Sequence, residues 1–308
     1  MGQAGKFTTS ELRTPGASRS RPVGQGLAER LDCVERRGHQ PVERVGDAGR
    51  LAGLSATLGE RERRSRGLGR VVRRGYGAGM EPVSEDWERG LAVVAHPDDL
   101  EYGAVSAIAR WTAQGKTVTY LLVTSGEAGI DALDPAQCGP RREAEERAGA
   151  ALAGVTDVEF LRWPDGTVTG GIELRRAIAG EIRRRRPDMV LTMTFETSVG
   201  GSVNHADHRA VGLATIDAVR DAANRWVFPE LGAAWSGVQA TYAYGASEPT
   251  HFVDVSDTMD AAVQSLGAHQ AYLDGLGGDF DADQFLRSNA ALSGAEVGCA
   301  YAVTLRKY

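Results

Sequence analysis

The sequence predicts an α/β protein with a doubly wound, mostly parallel sheet, arranged as a Rossmann-like three-layer sandwich. From residue 91 onward, short continuous apolar runs alternate with helical patterns, and turn residues separate the two. A continuous apolar run is typical of a parallel strand that is covered on both faces. Strand, helix and strand in alternation predict parallel strands joined by crossover helices.

The pattern predicts seven strands and five helices in one domain, residues 80–308. The strands are Leu91–Ala95, Val118–Thr124, Val158–Leu161, Met189–Thr194, Gln239–Tyr244, Phe252–Val255 and Val297–Leu305. The helices are Gly103–Gln114, Arg141–Leu152, Ile172–Arg186, Asp207–Ala222 and Asp257–Leu273. Gly115 is a typical residue after a helix C-terminus, and Pro187 stops the third helix.

Residues 1–79 differ in composition from the rest of the chain. They hold 16 basic and 8 acidic residues, whereas the remainder holds 19 basic and 33 acidic residues. This arginine-, glycine- and serine-rich segment has too little apolar surface to offset the entropy of ordering, which predicts a disordered extension. An upstream start codon, with Met80 as the true initiator, is the interpretation we favour; N-terminal sequencing of the native protein tests it.

Composition excludes several functional classes. With 308 residues, 42% of them hydrophobic, the chain is long enough for a full core. No apolar run reaches the length of a membrane span. The basic segment is poor in aromatic residues, and acids are interleaved with its basic residues, which argues against a sequence-specific nucleic-acid reader. Cys33, Cys138 and Cys299 form no short-spaced pair, which favours a reducing, cytoplasmic location over a disulfide framework.

The central motif runs from Ala95 to Glu101 and follows the first predicted strand. It places His96, Asp98 and Asp99 at the carboxyl end of that strand, where open α/β sheets bind ligands. Two adjacent aspartates are costly to hold together unless a cation or a proton separates their roles. A solvated helix cap is the simpler alternative, because Asp is common at that position.

Three later loops reach the same edge of the predicted sheet. Thr124–Gly129 and Trp163–Gly166 each follow a strand, and either is explained equally well as a turn. The third loop ends in a motif with two histidines, His205 and His208. Three of the six histidines in the chain therefore follow strand ends, which favours a shared site.

The residue types in these loops suit a hydrolytic zinc site. Catalytic zinc takes three protein ligands from His and Asp or Glu and lowers the pKa of bound water. His96 and Asp99 are one helical turn apart and can face one point, with His208 completing the set. Asp98 is then placed to act as general base.

Two further residues are candidates for supporting roles. His205 would stabilise an oxyanion or protonate a leaving amine, although a plain loop histidine explains it almost as well. Asp207 would hold an imidazole in its productive tautomer.

These motifs resemble, in content and order, those of the PIG-L/LmbE-like deacetylases. The resemblance rests on His96-Pro97-Asp98-Asp99, Thr124–Gly129, Arg142-Glu143-Ala144-Glu145 and His205-Ala206-Asp207-His208, and extends over roughly residues 91–273. It implies a zinc-dependent N-deacetylase, with Fe²⁺ as an alternative metal, acting on an N-acetylglucosamine derivative. It also implies that Arg142 contacts substrate, and it matches His269 to a family histidine that is as well explained by a structural role.

The chain departs from relatives at positions that define the substrate. Ile130 replaces an acid of the enzyme that acts on the mycothiol precursor, and Val203 replaces a tyrosine used by some members. The sequence therefore predicts a cytoplasmic amidohydrolase for a small amino-sugar substrate. The alternatives are a non-catalytic zinc- or sugar-binding protein of the same fold and an amidase for a thiol-sugar conjugate. A dinucleotide-binding dehydrogenase is excluded, because the glycine-rich turn it needs is replaced by His96–Asp99.

Overall fold

A computed structural model describes residues 79–277 and 280–308 of the chain. The predicted basic extension, residues 1–79, lies outside these residues apart from Gly79. Ten strands are described: β1 (Glu81–Pro82), β2 (Arg89–Val94), β3 (Thr117–Thr124), β4 (Asp157–Trp163), β5 (Met189–Met193), β6 (Ser198–Val199), β7 (Ser202–Val203), β8 (Ala240–Tyr244), β9 (His251–Asp254) and β10 (Ala302–Lys307).

The described helices are α1 (Asp99–Gly103), α2 (Val105–Ala113), α3 (Pro135–Leu152), α4 (Ile172–Arg185), α5 (Ala206–Ala223), α6 (Met259–Gly267), α7 (Gln270–Leu276) and α8 (Ala282–Val297). None of them is long and apolar enough to cross a membrane.

Eight strands form one sheet in the order β1-β9-β10-β8-β5-β2-β3-β4, and β6 pairs with β7 in a separate hairpin. All pairs in the large sheet are parallel except those of β10, which runs antiparallel to β8 and β9. Helices α4 and α5 pack together, whereas α2, α3 and α8 pack around α6. The predicted doubly wound, mostly parallel α/β fold is therefore confirmed.

The strand order places a topological switch point between β2 and β5. The chain passes from β2 outward to β3 and β4, then returns to the other side of β2 to form β5 and β8. The core strands are buried, with every residue of β5 and all but the first of β2 shielded from solvent. Ligands bind at such a point, beyond the carboxyl ends of the two diverging strands.

Four predicted element boundaries were wrong. The helix predicted over Gly103–Gln114 begins two residues later, as α2, because the chain bends at Ala104 (φ −144°) after the short helix α1, which we did not predict. The second helix begins earlier, at Pro135, where the Asp134 side chain accepts a hydrogen bond from the Ala136 amide. The helix predicted over Asp257–Leu273 is interrupted at His269.

The fourth error concerns the predicted last strand, Val297–Leu305. Its first residue ends helix α8, which we did not predict, and strand β10 begins only at Ala302. Asp281 caps α8 by accepting a hydrogen bond from the Gln284 amide, and Gly298 ends it with a φ of +81°. The weakly amphipathic sequence of α8 gave no clear helical pattern.

Candidate metal centre and active site

The loop after β2 fixes Asp99 firmly. Asp99 begins α1, and its Oδ2 accepts hydrogen bonds from the backbone amides of Ala95 (3.1 Å) and His96 (2.7 Å). Its other oxygen, Oδ1, lies 3.1 Å from Nε2 of His208 on α5. Although burial disfavours the carboxylate, the neighbouring His208 and His96 hold the pKa of Asp99 well below its ordinary value.

Three side chains from this loop and from α5, those of His96, Asp99 and His208, form a close triangle. His208 Nε2 lies 3.2 Å from His96 Nδ1, which in turn lies 3.5 Å from Asp99 Oδ2. Two ligands of a tetrahedral zinc ion, each about 2.1 Å from the metal, lie about 3.4 Å apart. The structure therefore brings the three predicted ligands together at ligand spacing.

Two buried carboxylates orient the His96 ring from behind. Its Nε2 lies 3.1 Å from Asp165 Oδ1 and 3.3 Å from Asp207 Oδ2. Burial favours the neutral ring, but the negative charges of Asp99 and of these two carboxylates raise the pKa of His96 well above its ordinary value. A proton at Nε2 leaves the lone pair at Nδ1 for a cation, the arrangement by which carboxylates support metal-binding histidines.

Asp207 is fully buried, and both of its carboxylate oxygens accept hydrogen bonds. Besides His96, it accepts hydrogen bonds from the backbone amides of Gly166 (2.8 Å) and Val168 (3.1 Å). The imidazole that Asp207 contacts is therefore that of His96.

Asn204 orients the second imidazole. Its Oδ1 lies 3.1 Å from His208 Nδ1, and its amide nitrogen donates to the carbonyl oxygens of Thr194 (3.1 Å) and Glu196 (3.0 Å). Because these carbonyls fix the amide, Oδ1 must accept from the ring, which places a proton on Nδ1 and leaves Nε2 as the nitrogen of His208 that would bind a cation.

The residues present fit a divalent cation. Both histidines turn one ring nitrogen toward Asp99, and both are held by polar partners on their far side, as expected for metal ligands. Three other groups of donors among the described residues lie close enough to hold an ion: His96 with His205 and His208, His96 with Asp165 and Asp207, and a separate buried cluster of Glu101, Glu146 and His269. However, Asp207 is occupied by the amides above, and His205 Nδ1 accepts from the Asp207 amide (3.2 Å).

Asp98 lies beside this triangle in a strained conformation. Its φ is +93°, in the left-handed region that non-glycine residues rarely adopt, and its side chain is 3.0 Å from Arg142 Nη2. Burial raises the pKa of Asp98 to about 6, although Arg142 opposes this shift. A carboxyl group with that pKa is ionised at neutral pH and remains a useful base.

Arg142 is almost completely buried, with 2% of its surface exposed. Besides Asp98, its guanidinium donates to the carbonyl oxygens of Gly126 (3.2 Å) and Pro97, and it lies 4.4 Å from the ring centroid of Tyr272. Its described contacts thus hold Asp98, and contact between Arg142 and substrate stays a prediction.

The two loops that were explained equally well as turns support the site. Gly126 has a φ of +63°, and a Cβ there would lie 2.3 Å from Arg142 Nη1, so the turn requires glycine. Glu127 Oε1 accepts from the Asp165 amide (2.8 Å), and Asp165 Oδ2 accepts from the Ala128 amide (2.9 Å). We had not singled out Asp165 or Asn204; the nearest sequence signals were the Asp165-Gly166 turn and the position of Asn204 directly before His205.

A groove of about 470 Å³ opens beside Asp99 and His208. Its walls come from α1, α6, α8 and the ends of β5, β8 and β10, and they include Tyr102, Met193, Tyr244, Met259, Leu286 and Val303. The groove offers space for a small organic molecule next to the donor triangle.

Fold and donor set together define an α/β protein with a candidate metal centre at the switch point of its sheet. Residues 91–219 match the family model described as PIG-L: GlcNAc-PI de-N-acetylase. The chain is 31% identical over 199 residues to diacetylchitobiose deacetylase of Thermococcus kodakarensis, which covers 62% of this chain and 72% of that protein.

Two further comparisons agree. The chain is 30% identical over 221 residues to 1D-myo-inositol 2-acetamido-2-deoxy-alpha-D-glucopyranoside deacetylase of Geodermatophilus obscurus, covering 57% of this chain and 73% of that protein. Its fold is similar to that of N,N′-diacetylchitobiose deacetylase from Pyrococcus horikoshii, with a TM-score of 0.66, 23% identity, and coverage of 73% and 85% of the two chains. The chain belongs to the PIG-L family of de-N-acetylases.

Proposed function

We propose that the protein is a zinc-dependent deacetylase that hydrolyses the acetamide of a small, glucosamine-containing molecule. The observation that carries this proposal is the ionisable Asp98 carboxyl beside the triangle of His96, Asp99 and His208. Membership of a deacetylase family, and relatives named as deacetylases of acetylated amino sugars, support the same reaction.

His96, Asp99 and His208 would hold the ion. Zinc, or Fe²⁺ with the same donors, would supply Lewis acidity toward the amide carbonyl and acidify a water molecule. Asp207 and Asp165 would hold a proton on Nε2 of His96, and Asn204 would hold one on Nδ1 of His208, so that the other nitrogen of each ring faces the ion.

Asp98 acts as the general base. It accepts a proton from the attacking water and returns that proton to the nitrogen of the leaving amino sugar. Arg142 holds the carboxylate through its 3.0 Å contact and partly offsets the effect of burial, which keeps Asp98 ionised near neutral pH.

His205 stabilises the oxyanion in this proposal. It lies at the start of α5, and its ring centroid is 4.9 Å from that of His96 and 5.2 Å from that of His208. Burial lowers the pKa of His205, and the neighbouring His96 and His208 lower it further. Since Nδ1 accepts from the Asp207 amide, the proton of the neutral ring is on Nε2, which makes His205 a hydrogen-bond donor.

A cytoplasmic location is part of the proposal. Cys138 and Cys299 are both free thiols in the part of the chain that the structure describes, as is typical of a reducing compartment.

An amine-release assay tests the proposed function. The zinc-loaded protein is incubated with N,N′-diacetylchitobiose and with N-acetylglucosaminyl-inositol, and Asp98→Asn is the matched blank. We expect amine release by the parent, and a loss of about 100- to 10,000-fold in Asp98→Asn with its zinc retained. Zinc binding without amine release from either compound would favour the non-catalytic sugar-binding alternative.

A further inference from the structure

A second polar cluster lies beneath the Asp98 turn and is not used by the proposed reaction. Glu101, Glu146 and His269 are each at most 1% exposed. His269 Nε2 lies 3.7 Å from Glu146 Oε2 and 3.8 Å from Glu101 Oε2, and Ser265 Oγ donates to Glu101 Oε1 (3.0 Å). Buried polar groups of this kind need a physical explanation.

One bond joins this cluster to the active site. Glu146 Oε2 accepts a hydrogen bond of 3.0 Å from the backbone amide of Asp98. That amide belongs to the residue with a φ of +93°. A non-glycine residue stays in such a conformation only where its surroundings hold it there.

Helix α3 holds Asp98 at two points. Arg142 and Glu146 are four residues apart and therefore lie on the same face of the helix. Arg142 contacts the Asp98 side chain, whereas Glu146 binds its backbone amide. The position and the direction of the Asp98 carboxyl are thus both set by one helix.

We propose that Glu146 is a positioning residue, which holds the backbone of Asp98 in its left-handed conformation and so aims the base at the metal centre. Glu101 and His269 surround the Glu146 carboxyl, with His269 Nε2 3.7 Å from Glu146 Oε2. The inference rests on the proposed function of Asp98 for its catalytic consequence, but the backbone conformation can be measured independently.

The packing around His269 supports this role. The break between α6 and α7 falls at His269 and turns its ring into the cluster. A Cβ at Gly149 of α3 would lie 3.0 Å from His269 Nε2, so the glycine permits this close approach. Burial lowers the pKa of His269 to about 3, which leaves this ring uncharged at neutral pH, and burial raises the pKa of Glu146 well above its ordinary value.

A matched pair of variants separates positioning from general stability. Glu146→Met keeps a side chain of similar length but removes the acceptor for the Asp98 amide. Glu146→Gln keeps a neutral acceptor. Both are made in the parent and in the Asp98→Asn background, and kcat, KM, Tm and bound metal are measured with N,N′-diacetylchitobiose. Glu146→Asp, which withdraws the acceptor by one methylene, carries the same comparison if Glu146→Met does not fold.

We expect Glu146→Met to lower kcat by about 10- to 100-fold with little change in KM, and Glu146→Gln to restore most of it. In the Asp98→Asn background, Glu146→Met should change the residual rate by less than about twofold, because Glu146 acts through Asp98. An equal loss in both backgrounds would overturn the proposal, as would a loss in Glu146→Gln as large as that in Glu146→Met.

Two measurements do not depend on turnover. A crystal structure of Glu146→Met should show that the φ of Asp98 becomes negative, and an unchanged φ of about +93° would contradict the inference even if the parent showed no deacetylase activity. The parent should bind one metal equivalent. A second equivalent that is lost in Glu146→Met would instead identify the buried cluster as a metal site.

Discussion

Removing the charge of Arg142 should move the pH dependence of the reaction. Burial raises the pKa of Asp98 to about 6, and the Arg142 guanidinium, 3.0 Å away, opposes that shift. An adjacent arginine lowers the pKa of an aspartate by about one to three units, so the pKa of Asp98 should rise by that amount in Arg142→Gln. The base form exists above the pKa, and the acid limb of the profile should therefore move to higher pH.

The size of the effect at a fixed pH follows directly. With a pKa of about 6, about 90% of Asp98 is ionised at pH 7; a rise of about one to three units lowers this to between about 50% and about 1%. The kcat/KM of Arg142→Gln at pH 7 should fall by about 2- to 100-fold and recover as the pH is raised. A bound cation lowers the pKa in the parent and in the variant alike, so the displacement between their profiles is the quantity to compare.

The assay is a pH profile of kcat/KM from pH 5 to 10 for the parent, Arg142→Gln and Arg142→Lys. The lysine variant keeps the positive charge and should retain the acid limb of the parent more closely. If both variants raise KM and leave the acid limb in place, Arg142 contacts substrate, as the family resemblance implies, and our account of its charge is refuted.

Three further predictions concern metal binding and stability. His208→Ala should lose stoichiometric zinc, measured by metal analysis after dialysis; full occupancy would contradict the ligand set. Asp207→Ala should weaken zinc binding by about 10- to 100-fold, because His96 loses a carboxylate that orients its ring. It should also lower the free energy of unfolding by about 2–6 kcal/mol, because two buried amides lose their acceptor. A chelator competition measures the zinc affinity and calorimetry the stability; a wild-type zinc affinity would show that Asp207 does not support His96 as a ligand. Glu85 accepts from Arg110, from the buried Trp111 indole and from Gln114, and although burial opposes it, these partners lower its pKa. A lowered pKa stabilises the fold above the unfolded pKa of about 4.5, and this contribution is lost as the pH falls. Glu85→Ala should therefore lower Tm at pH 7 and do so less at pH 3; an equal loss at both would exclude the carboxylate as the cause.

Local patterns predicted most of the central sheet. Four central strands, β2, β3, β5 and β8, begin and end within two residues of the predicted bounds. A strand that is buried on both faces has a continuous apolar run, and such a run can be recognised in the sequence. The helix break at His269 was missed, since helical periodicity continues across it and only the packing against α3 turns the ring inward. The hairpin of β6 and β7 was also missed, because its two-residue strands are too short to show a period.

The sequence by itself determined which functional side chains lie at one edge of the sheet. His96, Asp98 and Asp99 follow a strand, and His205 and His208 lie beyond the end of another, so parallel topology alone brings them to a common edge. Tertiary structure decided what each group does there. The carboxylates that orient His96 come from Asp165 and Asp207, 69 and 111 positions away, and the acceptor for the Asp98 amide lies 48 positions away. Hydrogen bonds over such separations depend on how helices and loops pack against the sheet. The local hydrophobic periodicity of the sequence carries no information about that packing.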